Sequence, residues 1–197
     1  MGPIRPPFST GLANPMESAR GAYFPKAVAQ DAPFGGVAPA HGVMWIKFNE
    51  VVTPVTVAGE RYATVGVSDS DITRNKGFLH LADLNALQLQ GRSGLFHIHV
   101  TGSVLSGNNV VVGIYIGVSR TPEEALDPGV AGPDPSDRIS ESEVYVTMPS
   151  AARPTPFSVQ ALLTLNYLDR VYLIVQNRNG TQDITVEFMH TVITRVD

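Results

Sequence analysis

Two histidines stand two residues apart in Gly91-Arg-Ser-Gly-Leu-Phe-His97-Ile-His99, a spacing suited to metal chemistry. On a β-strand, side chains at i and i+2 point to the same face, so His97 and His99 present their imidazoles together. The pair lacks companions. The chain continues Val100-Thr-Gly-Ser-Val-Leu105 without a carboxylate, and His190 is the one later histidine that folding can bring near. The expectation is a pair of surface or interface histidines, with no resident metal and no cofactor. Oxygen donors recur in Ser68-Asp69-Ser-Asp71-Ile-Thr-Arg-Asn75-Lys-Gly77, but the central Gly and closing Glu of a calcium loop are missing. A strand connection held by side chain-to-backbone turns fits it better.

Catalytic signatures are lacking elsewhere. There is no Gly-x-Ser-x-Gly elbow, no phosphate-cradling glycine loop and no His-Glu-x-x-His. Zero cysteines exclude disulfides, thiolate ligands and cysteine nucleophiles. A net charge of −4 with 16% charged residues gives no electrostatic reason to bind nucleic acid or an anionic membrane. The first residues hold no apolar run of a signal peptide, and no window approaches the ~18 apolar residues of a membrane span. These features lead us to expect a soluble protein that is not an enzyme and folds where it is made.

The elements that must position these residues are strands. From Trp45 onward the period is two, with strands expected over 51–57, 62–67, 78–81, 86–89, 95–101, 110–118, 144–148, 157–165, 171–176 and 184–195. Gly, Asn and Ser turns separate them, and no amphipathic helix intervenes. The fold class expected is all-β: an antiparallel jelly-roll sandwich over 43–197, with an acidic, proline-rich loop insertion over 119–142. Residues 1–42 obey another grammar. Seven of the fifteen prolines lie there, interleaved with glycine, which excludes a helix or central strand. Phe8, Leu12, Tyr23, Phe24 and Phe34 are spaced along this stretch like anchors. The reading is an extended N-terminal arm that docks on a partner, since so few apolar side chains do not offset the entropy of ordering it alone.

Faces decide the next inference. Phe157, Val159, Ala161, Leu163 and Leu165 alternate with polar residues, as expected when one face meets water. In the last strand Ile184, Val186, Phe188 and Val192 are read as sharing a side. Two strands break the rule: Val110-Val-Val-Gly-Ile-Tyr-Ile-Gly-Val118 and Val171-Tyr-Leu-Ile-Val175 are apolar on both sides. A second face of this kind needs a cover, either sister copies of the chain or the arm folded back. The first option places Val112, Tyr115, Tyr172 and Ile174 in a subunit interface.

The order of the last strands carries a resemblance. Phe157–Leu165, the turn Asn166-Tyr-Leu-Asp-Arg170, the apolar Val171–Val175, Asn179-Gly180 and Ile184–Val192 resemble the C-terminal half of C1q/TNF-like trimeric jelly rolls. Their Leu-x-x-Gly-Asp-x-Val-like turn has Leu168 here in place of the Gly. The resemblance implies a homotrimer with aromatic residues such as Tyr115 and Tyr172 near a threefold axis, and a role in binding and assembly. Capsid-decorating (cement or head-fibre) proteins of tailed bacteriophages are trimers of this sort, some with a proline-rich arm. A structural virion protein made in the host cytoplasm is therefore the expected function. Its partners are copies of itself and the major capsid protein or neighbouring virion subunits. The trimeric receptor-binding tip of a phage fibre is the alternative. A cupin-like metalloprotein is a further one, since the spacing around His97 and His99 resembles the opening of the cupin motif.

Overall fold

The computed structural model describes residues 40–119 and 139–197. Its strands are β1 (His41–Ile46), β2 (Arg61–Ala63), β3 (Ser68–Asp69), β4 (Phe78–Leu81), β5 (Ala86–Leu89), β6 (Gly94–Leu105), β7 (Val111–Ser119), β8 (Val144–Thr147), β9 (Thr155–Leu165), β10 (Arg170–Asn177) and β11 (Thr185–Arg195). They form two sheets, ordered β3-β1-β11-β6-β9 and β4-β5-β10-β7-β8, with β2 added alongside β10. Every named pairing is antiparallel. Because β1 pairs with β11 and β6 lies between β11 and β9, the chain repeatedly crosses from one sheet to the other. This is the jelly-roll sandwich expected from the strand pattern.

The core fills the space between the sheets. Met44 and Ile46 of β1, Phe96, Ile98 and Val100 of β6, and Met189 and Ile193 of β11 meet Val112, Ile114, Ile116 and Val118 of β7 and Val171, Leu173 and Val175 of β10. Phe78 packs edge-on against Phe96, with ring centroids 5.7 Å apart. At Gly42 of β1 an added Cβ would lie 2.9 Å from the Phe78 ring, so this strand needs glycine at that point.

Three strand expectations are corrected, the one over 62–67 because β2 ends at Ala63. β1 lies before the expected run of strands and begins inside the stretch assigned to the arm. Conversely, 51–57 is not a strand: only Thr53 pairs there, with Ile184. Pro54 lacks a donor, and Phe48 turns the backbone with φ 49° just upstream. The buried Asn49 then serves as a substitute ladder: its Nδ2 donates to the carbonyls of Val65 and Val186, and its Oδ1 accepts from Val51 N. The arm anchors Phe8, Leu12, Tyr23, Phe24 and Phe34 lie outside the described residues, as does most of the 119–142 insertion.

Candidate functional site

The sandwich has two outer faces, and they are built differently. On the second sheet, Gly113, Tyr115 and Gly117 of β7 point away from the core, opposite Gln176, Ile174 and Tyr172 of β10. The glycines are the seats of the tyrosines. A Cβ at Gly117 would stand 2.7 Å from the Tyr172 ring, and one at Gly113 would stand 2.6 Å from the Tyr115 hydroxyl. Ala63 of β2 and Ala86 of β5, the strands that pair with the other edge of β10, belong to the same buried cluster, with Leu81 and Leu84 packed against it. The Tyr115 hydroxyl is 2.6 Å from Gln176 Oε1 and 2.9 Å from Glu143 Oε1. Gln176 Nε2 in turn donates to Gly59 O.

This corrects the argument from apolar faces. Tyr115, Tyr172 and Ile174, expected in a subunit interface, are 0%, 3% and 0% exposed within one chain. Val112 points the other way, into the main core. Their second side is buried within the chain, in a cluster that Ala63, Leu81, Leu84 and Ala86 share.

The outer face of the first sheet is open. Its cross-strand rows run His41–Thr194–His97–Leu162, Val43–Val192–His99–Gln160 and Trp45–His190–Thr101–Ser158 from β1 through β11 and β6 to β9. Four of the five histidines therefore share one face. A fourth row adds Phe188, Ser103 and Pro156. Leu162 is 62% and Phe188 45% exposed, and Trp45, Val192 and the imidazoles are half-buried. Lys47 lies over the Trp45 ring at 5.1 Å.

A register shift in β11 sets this face. Val186 pairs with Val104, but Phe188 pairs with Ser103, so Glu187 is an extra residue in the ladder. The side chains exchange sides there. Ile184 and Val186 point inward, whereas Phe188, His190 and Val192 point outward and Met189 and Ile193 take the core positions. The expected common side for Ile184, Val186, Phe188 and Val192 is thus overturned. Gly102 accommodates the shift: a Cβ there would lie 2.3 Å from Phe188 O.

His97 and His99 do present together, with rings 6.4 Å apart and 17° from parallel. His99 Nε2 lies 3.0 Å from Ser158 Oγ. His190 shares their face without joining them: among the described residues no three His, Cys, Asp or Glu side chains group closely enough to hold a metal ion. His41 and His80 titrate below the ordinary imidazole value, each through burial first. The charge of Arg74 lowers His41 further, while Asp69 partly opposes the shift at His80. In the loop after β3, Asp71 Oδ1 accepts from Thr73 N at 2.9 Å and Thr73 Oγ1 at 2.5 Å, and Arg74 pairs with its other oxygen. These hydrogen bonds, Thr73's side chain above all, hold the Asp71 carboxyl below its usual range. Asn75 Oδ1 accepts from Val43 N at 2.6 Å. The loop's oxygens are turned to backbone and side-chain donors, as a strand connection requires.

The turn before β10 holds a residue whose significance the bare sequence concealed. Leu168, which stands where the C1q/TNF-like turn has glycine, has φ 71°. Asp169 Oδ2 accepts from Asn166 N at 2.8 Å, and Leu168 N donates to Leu89 O at 2.8 Å. The left-handed position is kept although its usual residue is gone.

No family model matches the chain, and no curated protein does. Among solved structures it is similar to murine APRIL at pH 5.0, with 8% identity and a TM-score of 0.47 over 78% of this chain and 98% of that one. Eiger TNF from S. frugiperda gives 10% identity and a TM-score of 0.46 over 80% of this chain and 94% of that one. The globular domain of zebrafish complement 1qA protein gives 11% and 0.45 over 81% of this chain and 98% of that one.

Proposed function

We propose that this chain is a self-associating structural protein, a homotrimer whose copies meet through the outer face of the first sheet. The observation that carries the reading is the contrast between the two outer faces. One is closed within its own chain; the other leaves Leu162 and Phe188 exposed and Trp45 and Val192 half-buried, in rows made up mostly of histidine, threonine, serine and glutamine. Large apolar side chains left exposed on an otherwise well-packed sheet face suit an interface. The interface thus moves from Tyr115 and Tyr172 to the opposite side of the sandwich. Threefold order is the part that rests on the C1q/TNF-like resemblance of residues 157–196.

The role we assign is decoration of a bacteriophage capsid. The open face holds the trimer together, and the arm (Phe8, Leu12, Tyr23, Phe24, Phe34) docks on the major capsid protein or a neighbouring virion subunit. It is a role of binding rather than catalysis, carried out in the virion after synthesis in the host cytoplasm. The composition of the arm supports it, being too poor in apolar side chains to order itself yet regularly supplied with aromatic anchors.

Light scattering on the purified chain tests the assembly. A trimer at micromolar concentration is expected, and Leu162→Asp with Phe188→Asp should give a folded monomer. Because both side chains are already substantially exposed, the variant monomer should keep the circular dichroism spectrum of the wild type and a cooperative melting transition. A wild-type monomer refutes the assembly. Re-addition to shells lacking the protein tests the role: the full chain should attach, and a chain without residues 1–40 should form trimers that do not. Attachment to host cells instead of shells refutes decoration.

A further inference from the structure

We infer that His97 and His99 form a bidentate site for a divalent transition-metal ion such as Ni²⁺ or Zn²⁺. The inference stands on the chain's own strand and does not require the proposed trimer. β6 is held on one side by β11 and on the other by β9 over the whole of this segment, so the two Cα positions are fixed by two hydrogen-bonded ladders. Only side-chain torsions remain free. The rings already lie nearly parallel at 6.4 Å, on an outer face. Zinc-to-nitrogen bonds of about 2.0–2.1 Å set two ligand nitrogens roughly 3.3 Å apart at a tetrahedral angle. A modest inward rotation of two half-exposed rings is enough to reach that separation.

The surroundings favour this class of ion. The direct cross-strand neighbours are Thr194 and Leu162 for His97, and Val192 and Gln160 for His99. None is a carboxylate, so a hard cation such as calcium finds no charged oxygen, while paired imidazoles suit Zn²⁺, Ni²⁺ and Cu²⁺. Nor does a Lys or Arg occupy these rows to repel a cation. Ser158 supplies an orienting contact. With its hydroxyl 3.0 Å from His99 Nε2, that nitrogen can carry the proton and leave Nδ1 free as a ligand. The other outward histidines have no imidazole two residues away. His41 Nδ1 is instead within 3.3 Å of Thr194 Oγ1.

Calorimetric titration of Ni²⁺ or Zn²⁺ into the full chain at neutral pH tests the site, with light scattering on the same samples. Saturable binding of one ion per chain is expected. His97→Asn and His99→Asn should each weaken it by at least about tenfold, Ser158→Ala by a smaller factor, and His190→Asn not at all. Circular dichroism and melting curves should show the Asn variants folded. Acidification should release the ion, because imidazole must be neutral to bind it. Absence of saturable binding, displacement by excess Ca²⁺, or unchanged binding in both Asn variants would overturn the site. Binding by a monomer would sink the trimer while leaving this site standing, and a trimer without binding would do the reverse.

Discussion

On the second sheet, glycine and tyrosine alternate outward along β7, and the tyrosines are buried within the chain beside Ala63, Leu81, Leu84 and Ala86. On the first sheet, the outward rows mix imidazole, threonine and exposed apolar side chains, with Phe188 and Leu162 left exposed to solvent. Both faces belong to strands with well-filled inner sides. The difference lies in how far each outer side is covered. Residues 61–64 and 82–86 return to the second sheet, and Asn85 fastens that return by donating from Nδ2 to Thr64 O at 2.9 Å. An apolar outer face thus says that a cover exists, and only the topology says whose it is.

Tyr115→Ala should break the closed face most severely. It empties a wholly buried site and removes the hydroxyl that bonds Gln176 and Glu143, a loss of about 3–5 kcal/mol on the scale of buried aromatic truncations, read from denaturant unfolding. In the first sheet the weak point is backbone rather than side chain. Gly102→Ala places a Cβ against Phe188 O and should cost about 1–3 kcal/mol, with chemical shifts of residues 186–189 displaced. A smaller change of opposite sign is expected at the turn before β10. Leu168→Gly relieves a left-handed non-glycine residue but loosens the unfolded chain, a net gain of up to about 1 kcal/mol in the melting curve.

The smallest expected effect is a pH dependence, and it samples both sheets. His41 on the first and His80 on the second hold values below the ordinary 6.5. As pH falls, the unfolded chain takes up these protons before the folded one does. The stability present above 6.5 is therefore lost as pH drops through the lowered folded-state values. Melting temperature should decline between about pH 7 and about pH 5, and His41→Asn with His80→Asn should flatten that slope. An unchanged slope in the double variant would assign the decline to other groups.

The sandwich was legible because period-two alternation survives wherever one face is dry, as in β9, where Phe157, Val159, Ala161 and Leu165 are buried and Ser158, Gln160 and Thr164 are not. β1 is hidden in the sequence because Gly42 reads as punctuation, although it is a close-approach site beneath Phe78. The joint presentation of His97 and His99 is a matter of spacing alone. That His41 and His190 share their face depends on the β1–β11–β6 register, which pairs residues from opposite ends of the chain. The misplaced interface has a visible physical cause. Val-Gly-Ile-Tyr-Ile-Gly-Val is apolar on both sides by type, but its outer side is mostly room for two rings.

The extra residue at Glu187 has a consequence for anyone aligning distant relatives of this chain. Deleting it would not shorten a loop; it would turn the rest of the final strand over, sending Met189 and Ile193 out and His190 and Val192 in. Insertions and deletions of single residues there are inversions in disguise. A gap that drifts by a few positions across 186–188 will compare buried methionine with surface histidine, and the error will run to the end of the strand.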